Sequence, residues 1–236
     1  MAETNETSLT LPADVASTAG AATVEALARA LELHDYRRGE FGETVAHTSR
    51  VTQLALKLAE RAAPELTLDP QLVYGFRLHD IGMIGVSSWT LLKPGALTPA
   101  ELDEIREHPW LGERIVAPVP TLNGLAREVI ASHHERWDGG GYPRGLRGPE
   151  IPLAARIFAI VDAFDAITRD QPYRDALSVD AACQEIRAKA GSDFDPELAL
   201  VFLDLDEVRE RTEGQVAADP ASQPEPPVAP PAPDAG

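Results

Sequence analysis

Every sustained apolar stripe in this chain repeats with the period of a helix, and that restricts the fold before anything else does. Leu27, Leu31 and His34 fall on one face, Val51, Leu54, Ala55 and Leu58 on another, and Leu122, Leu125, Val129, Ile130 and His133 on a third. Start and stop signals bracket the stripes. Asp69-Pro70 reads as an N-cap with a first-turn proline. Thr98-Pro99-Ala100-Glu101 is a capping box, and Pro109 stops its helix near His108. Pro152 opens a helix running to about Thr168, and Ser178 and Asp195-Pro196 open the last two. No alternating run or hairpin signal interrupts this pattern, so the expected fold is all-α, a bundle of about seven or eight helices. Residues 1–20 are small and polar, and from Gly214 to Gly236 seven of 23 residues are proline. Such ends bury too little apolar surface to offset their ordering entropy, so 1–20 and 213–236 are expected to be disordered around a single domain over 21–212.

Charge narrows the function classes. The 236 residues hold 21 Lys and Arg against 38 Asp and Glu, a net charge of −17. That balance argues against a grip on a nucleic-acid polymer or an anionic membrane surface. An anionic substrate would need a local attractor, either metal ions or the arginines Arg136, Arg144, Arg147, Arg156 and Arg174. The single cysteine, Cys183, excludes an intrachain disulfide and a cysteine-built zinc site. With no signal-peptide order at the N-terminus and no membrane-length apolar run, a cytoplasmic location is expected.

Five of the six histidines sit where carboxylates or helix ends recur. His79-Asp80 ends one helix and His133-His134 another, His108 follows the capping-box helix, and His47 lies one turn after Glu43. Asp162 stands inside the largely apolar stretch Ile157–Ile167. A buried carboxylate costs several kcal/mol unless it is paired or bound to metal. Its plain reading is an ion pair with Arg156 or Arg169. Taken together, imidazoles and carboxylates without thiolates form a ligand set for Fe, Mn or Zn, and a bundle core can gather them from several helices. Asp80, beside a histidine, is the candidate to bridge two ions that clamp a phosphate for in-line attack. The long segment Asp138–Glu150 carries five glycines, more than a connection requires.

These motifs resemble the HD-GYP family. His79-Asp80-Ile81-Gly82-Met83-Ile84-Gly85 is similar to its HDIGKIG motif, and His133 to Pro143 is similar to its HHExxDGxGYP motif. Ile151 to Ile157, Asp162 to Ala166, Leu91 to Thr98 and Phe194-Asp195-Pro196 continue the likeness over roughly Val24 to Leu205. The resemblance implies an all-α HD domain that hydrolyses cyclic di-GMP to pGpG or GMP with two or three divalent metals, commonly iron or manganese. It implies metal ligands at Glu43, His47, His79, Asp80, His108, His133, His134 and Asp162, with Glu43 serving a third ion. His79 and Asp80 become the catalytic pair. Arg174, Tyr142, Gly141 and Pro143 become substrate contacts, and the GYP loop becomes a contact for GGDEF-domain proteins. Twenty polar residues are too few for the receiver or sensor domain that often precedes this one, so a stand-alone or partner-regulated domain is expected.

Two positions depart from the family pattern. Met83 replaces the lysine of HDIGK, and Gln171 replaces the first arginine of RPYR. Neither carries charge, and losing one transition-state donor commonly costs about 10²–10³ in rate. Arg169 is the candidate to reach in beside Arg174. Three readings stand: an active phosphodiesterase, a metal-holding binding module, and a hydrolase of another cyclic dinucleotide or phosphate ester.

Overall fold

The local start signals do what their chemistry dictates. Thr98 accepts from the Glu101 amide, and the Glu101 carboxylate accepts from the Thr98 amide. Ser178 and Asp195 cap the next-to-last and last bounded helices in the same way, and the Asp69 carboxylate accepts from the Gln71 amide. The computed structural model describes residues 13–36, 41–170 and 175–210, with side chains over 20–34, 45–170 and 175–210. The expected Pro-rich tail, Gln171 and Arg174 lie outside the described residues.

Within them run α1 (Ala13–Tyr36), α2 (Phe41–Ala62), α3 (Gln71–Leu78), α4 (Ser88–Leu91) and α5 (Pro99–Arg106). They are followed by α6 (His108–Val116), α7 (Leu125–Ser132), α8 (Leu153–Ile167), α9 (Val179–Ala188) and α10 (Pro196–Leu203). The chain is again helical over 206–210. The fold is all-α, and an isolated bridge between Ala190 and Phe194 is the only extended pairing among the described residues. The helices are more numerous than the seven or eight expected. A four-residue helix such as α4 cannot display a 3.6-residue period, and Pro109 starts α6 as well as ending α5. α1 reaches back to Ala13, and Gly20 on it lies against the Thr121 side chain.

Two apolar clusters hold the bundle. The larger joins α2, α3, α8, α9 and α10 through residues such as Leu58, Phe76, Phe158, Ile186 and Phe202. The smaller joins α1, α3, α6 and α7 through Val24, Leu31, Leu78, Val116 and Ile130. α8 is apolar around most of its circumference because neighbours cover nearly all of it. Its Phe158 ring stacks on Phe76 at 5.2 Å. The helix ends nearest this point are the C-termini of α3 and α7 and the N-terminus of α6, and they carry the histidines of interest.

Candidate metal centre

His79 and His133 are the C-cap residues of α3 and α7, and His108 is the first residue of α6. All three are buried. Each ring is locked by its Nδ1 facing a backbone carbonyl: His79 to Phe76 at 3.0 Å, His108 to Ile105 at 2.8 Å, His133 to Ile130 at 3.0 Å. A carbonyl can only accept, so each Nδ1 carries the proton and each Nε2 is left with a lone pair. Those lone pairs converge on Asp80. Its Oδ2 lies 3.2 Å from His79 Nε2, and its Oδ1 lies 3.2 Å from His108 Nε2 and 3.6 Å from His133 Nε2. Gly82 makes this approach possible, because a Cβ there would overlap the His108 carbonyl oxygen.

α2 and α8 supply the other side. His47 Nε2 lies 3.3 Å from Asp162 Oδ1, and its Nδ1 lies 2.9 Å from Asp165 Oδ2. Asp165 is buried and takes a bidentate pair from Arg50, Nε to Oδ1 at 2.7 Å and Nη2 to Oδ2 at 2.8 Å. Asp162 therefore pairs with His47. Arg156 goes to Asp195 at 2.7 Å, and Arg169 Nε lies 3.9 Å from Asp165, so neither expected arginine holds Asp162.

Ligand atoms of Asp80, His108, His133 and His134 all lie within 4.8 Å of one another, and so do those of His47, His79 and Asp162. Seven of the eight expected ligands thus form two groups joined by the Asp80–His79 contact. Glu43 lies on α2, outside the described side chains. The donor set fits metal ions. His108 Nε2 and His133 Nε2 face each other at 3.1 Å. With both Nδ1 protons committed to carbonyls, two lone pairs confront each other there, an arrangement that a cation between them relieves.

The electrostatics follow the same division. Burial and then the neighbouring His133 push His134 down to about 3. Burial also opposes charge on His47, but hydrogen bonds to Asp162 and Asp165 prevail and raise it to about 10. His134 is therefore neutral at pH 7, and His47 holds a proton that a metal would displace.

Three residues that sequence reasoning passed over build the site. Asp165 orients His47 from behind; its signal was a second carboxylate on α8 three residues after Asp162. Phe158 floors the site, its ring 4.7 Å from His79 and 6.2 Å from His133. Glu135, buried beside His134, accepts from the backbone amides of Arg144 at 2.8 Å and Leu146 at 3.0 Å. It folds the glycine-rich segment back over the centre, where the Tyr142 amide donates to the His134 carbonyl and the Tyr142 ring stacks on His134 at 4.9 Å. Burial and then the Asp80 charge push the Tyr142 phenol up to about 12, so it stays a donor. A Cβ on Gly141 would overlap the Arg136 backbone. The Tyr142–Pro143 peptide is cis.

Arg136 pairs with Asp138 and Asp193, each at 2.7 Å. With Arg156, it ties the loop to the turn before α10. Met83 packs against the smaller apolar cluster. Among the described residues no helix is long and apolar enough to cross a membrane.

With this geometry in view, the chain matches the HD domain family over residues 23–198. It is 40% identical over 166 residues to a cyclic di-GMP phosphodiesterase of Thermotoga maritima, covering 70% of this chain and 45% of that protein. It is 31% identical over 205 residues to 3'3'-cGAMP-specific phosphodiesterase 2 of Vibrio cholerae, covering 86% of this chain and 36% of that one. The chain thus spans less than half the length of these curated relatives. Among solved structures, an HDG"Y"P protein of Bdellovibrio bacteriovorus shares the fold with a TM-score of 0.53 and 21% identity, over 67% of this chain and 50% of that one.

Proposed function

This chain belongs to the HD domain family, in its HD-GYP branch, and on that premise we propose that it is a metal-dependent phosphodiesterase hydrolysing cyclic di-GMP to pGpG, GMP or both. The observation that carries this reading is the position of Asp80, whose two oxygens face the two His/Asp groups. Two or three divalent ions, iron or manganese, fit that donor set. His47, His79 and Asp162 would hold one ion, His108, His133 and His134 another, and Asp80 both, with Glu43 available to a third. Bound metals supply Lewis-acid charge to the scissile phosphate and lower the pKa of water enough to give a nucleophile near neutral pH.

The chain's own residues do the rest. The carbonyl locks on His79, His108 and His133 fix the lone-pair directions before any ligand arrives. Phe158 keeps the floor dry, which strengthens each electrostatic contact above it. Tyr142, a neutral donor on the rim, is placed to hold a phosphate or sugar oxygen, with Gly141 and Pro143 shaping its loop. Arg169 and Arg174 follow α8 and would complete the phosphate contacts in place of Met83 and Gln171. The GYP loop is the surface we assign to a GGDEF-domain partner. A single cysteine, Cys183, with which no intrachain disulfide can be made, fits a reducing cytoplasm.

A second substrate reading, 3'3'-cGAMP, is favoured by the Vibrio cholerae relative. The reading as a binding module draws on Met83, an apolar side chain where the family carries a lysine. The deciding experiment is turnover of cyclic di-GMP and 3'3'-cGAMP by anaerobically iron- or manganese-loaded protein, with metal content measured on the same sample and Asp80→Ala as control. Metal-dependent product that disappears in the control is expected. Two bound metals with no turnover of either nucleotide would sink the phosphodiesterase reading.

A further inference from the structure

Next to the metal centre, a groove of about 480 Å³ runs between the α5–α6 corner and the GYP loop, lined by Arg106, Glu107, Trp110, Tyr142, Pro143 and Arg144 among others. Its volume lies within the span of small-molecule sites, roughly 300–1,000 Å³. Two walls connect it to the centre. Glu107 directly precedes His108, and Tyr142 stacks on His134. We infer that this groove is a guanine subsite, in which Trp110 is the stacking platform for one base of the cyclic dinucleotide and Glu107 reads its Watson–Crick edge.

The chemistry of the lining selects that ligand. Trp110 is 45% exposed, a large aromatic surface that the packing of α6 does not require to face solvent. Arg114 lies 4.7 Å from the Trp110 ring centre and Arg106 lies 5.9 Å from that of Tyr142, so cations flank both aromatic rings. A flat ring between such groups is held by stacking, and any base can use it. Glu107 adds discrimination. Its carboxylate has no hydrogen bond or ion pair among the described residues, and it is acceptor-only. Guanine presents N1–H and an N2 amino group side by side, which one carboxylate can accept together; adenine presents a bare acceptor at N1. Arg144 and Arg106, the latter also ion-paired to Asp103 at 3.2 Å, are donors for the opposite edge, where guanine carries O6 and N7.

This inference rests on the phosphodiesterase reading for the identity of the nucleotide, and its test reads binding separately from turnover. Cyclic di-GMP and cyclic di-AMP are titrated calorimetrically into the metal-loaded full chain and into Trp110→Ala, Trp110→Phe and Glu107→Gln, with metal content and melting temperature recorded for each. The wild type should prefer cyclic di-GMP. Trp110→Ala should weaken it about tenfold or more, the value of one base–aromatic stack, with metal content unchanged, and Trp110→Phe should restore most of the loss. Glu107→Gln should narrow the guanine preference by about tenfold. If Trp110→Ala does not fold, Arg106→Ala, on the exposed end of α5, takes its place with the same expected direction. Wild-type affinity in the variants, loss of affinity together with loss of metal, or no guanine preference at all would overturn the subsite. Turnover on the same samples keeps the two readings apart. Guanine-selective binding without cleavage leaves the groove standing and removes the hydrolase; cleavage with unaltered binding in the variants removes the groove alone.

Discussion

At the scale of single residues, the site depends on groups one contact away from the expected ligands. Asp165→Asn keeps the size of a buried side chain and removes the charge that Arg50 and His47 both contact. Metal affinity should fall about 10–100-fold, as it does when a partner behind a ligating histidine is lost. Isothermal titration with manganese would measure it, and unchanged affinity would contradict the role given to Asp165. Phe158→Ala opens a cavity beneath His79 and His133 and should cost about 3–5 kcal/mol in urea unfolding. The histidines and Asp162 were legible in the chain because ligand chemistry is a property of residue type. The partner of Asp162 was not. Arg156 and Arg169 were nearer in sequence, but His47, 115 positions away, lies on the facing helix.

At the scale of elements, the helix ends position the chemistry. Gly82→Ala would place a methyl group onto the His108 carbonyl and Gly112 backbone, so the segment Ile81–Gly85 must separate from α6. The expected result is loss of both metal binding and the cooperative melting transition, read by metal analysis and circular dichroism. The α5 capping box gives a pH signature. Glu101 is lowered to about 2 by hydrogen bonds from Lys93 and Thr98. Its folded value lies below its unfolded one near 4.5, so its contribution is complete above that value. It shrinks as pH falls and is lost as pH passes through about 2. The stability difference between wild type and Glu101→Gln, followed by urea unfolding from pH 7 to pH 2, should close in that window; a constant difference would contradict it. The box was readable because its residues are three apart. α4 was not, since four residues capped by Ser87 carry no period and Glu104 reaches it from α5.

At the scale of the whole molecule, α2, α3, α6, α7 and α8 meet at one point through buried polar groups. Removing metal leaves the His108 and His133 lone pairs facing each other, so chelation should lower the melting temperature and reloading should restore it. Identical melting curves with and without metal would mean that those helix ends are held by packing alone. The GYP loop is held at this scale too, by Glu135 below and by the turn over 189–194 beside it. Glu135→Ala should therefore raise hydrogen exchange across 139–148 while leaving α8 protected.

The sequence by itself determined that the chain is helical, where several of its helices begin or end, and that imidazoles and carboxylates without thiolates are its candidate ligand groups. Each of these is a local matter of period, capping geometry or ligand type. Tertiary structure alone decided which atoms face each other. It set Asp80 between two groups, turned each histidine by a carbonyl, buried Asp165 under Arg50, and laid Tyr142 on His134. Those arrangements depend on close packing between helices far apart in the chain. Spacing along one strand of text carries no record of distances across a core.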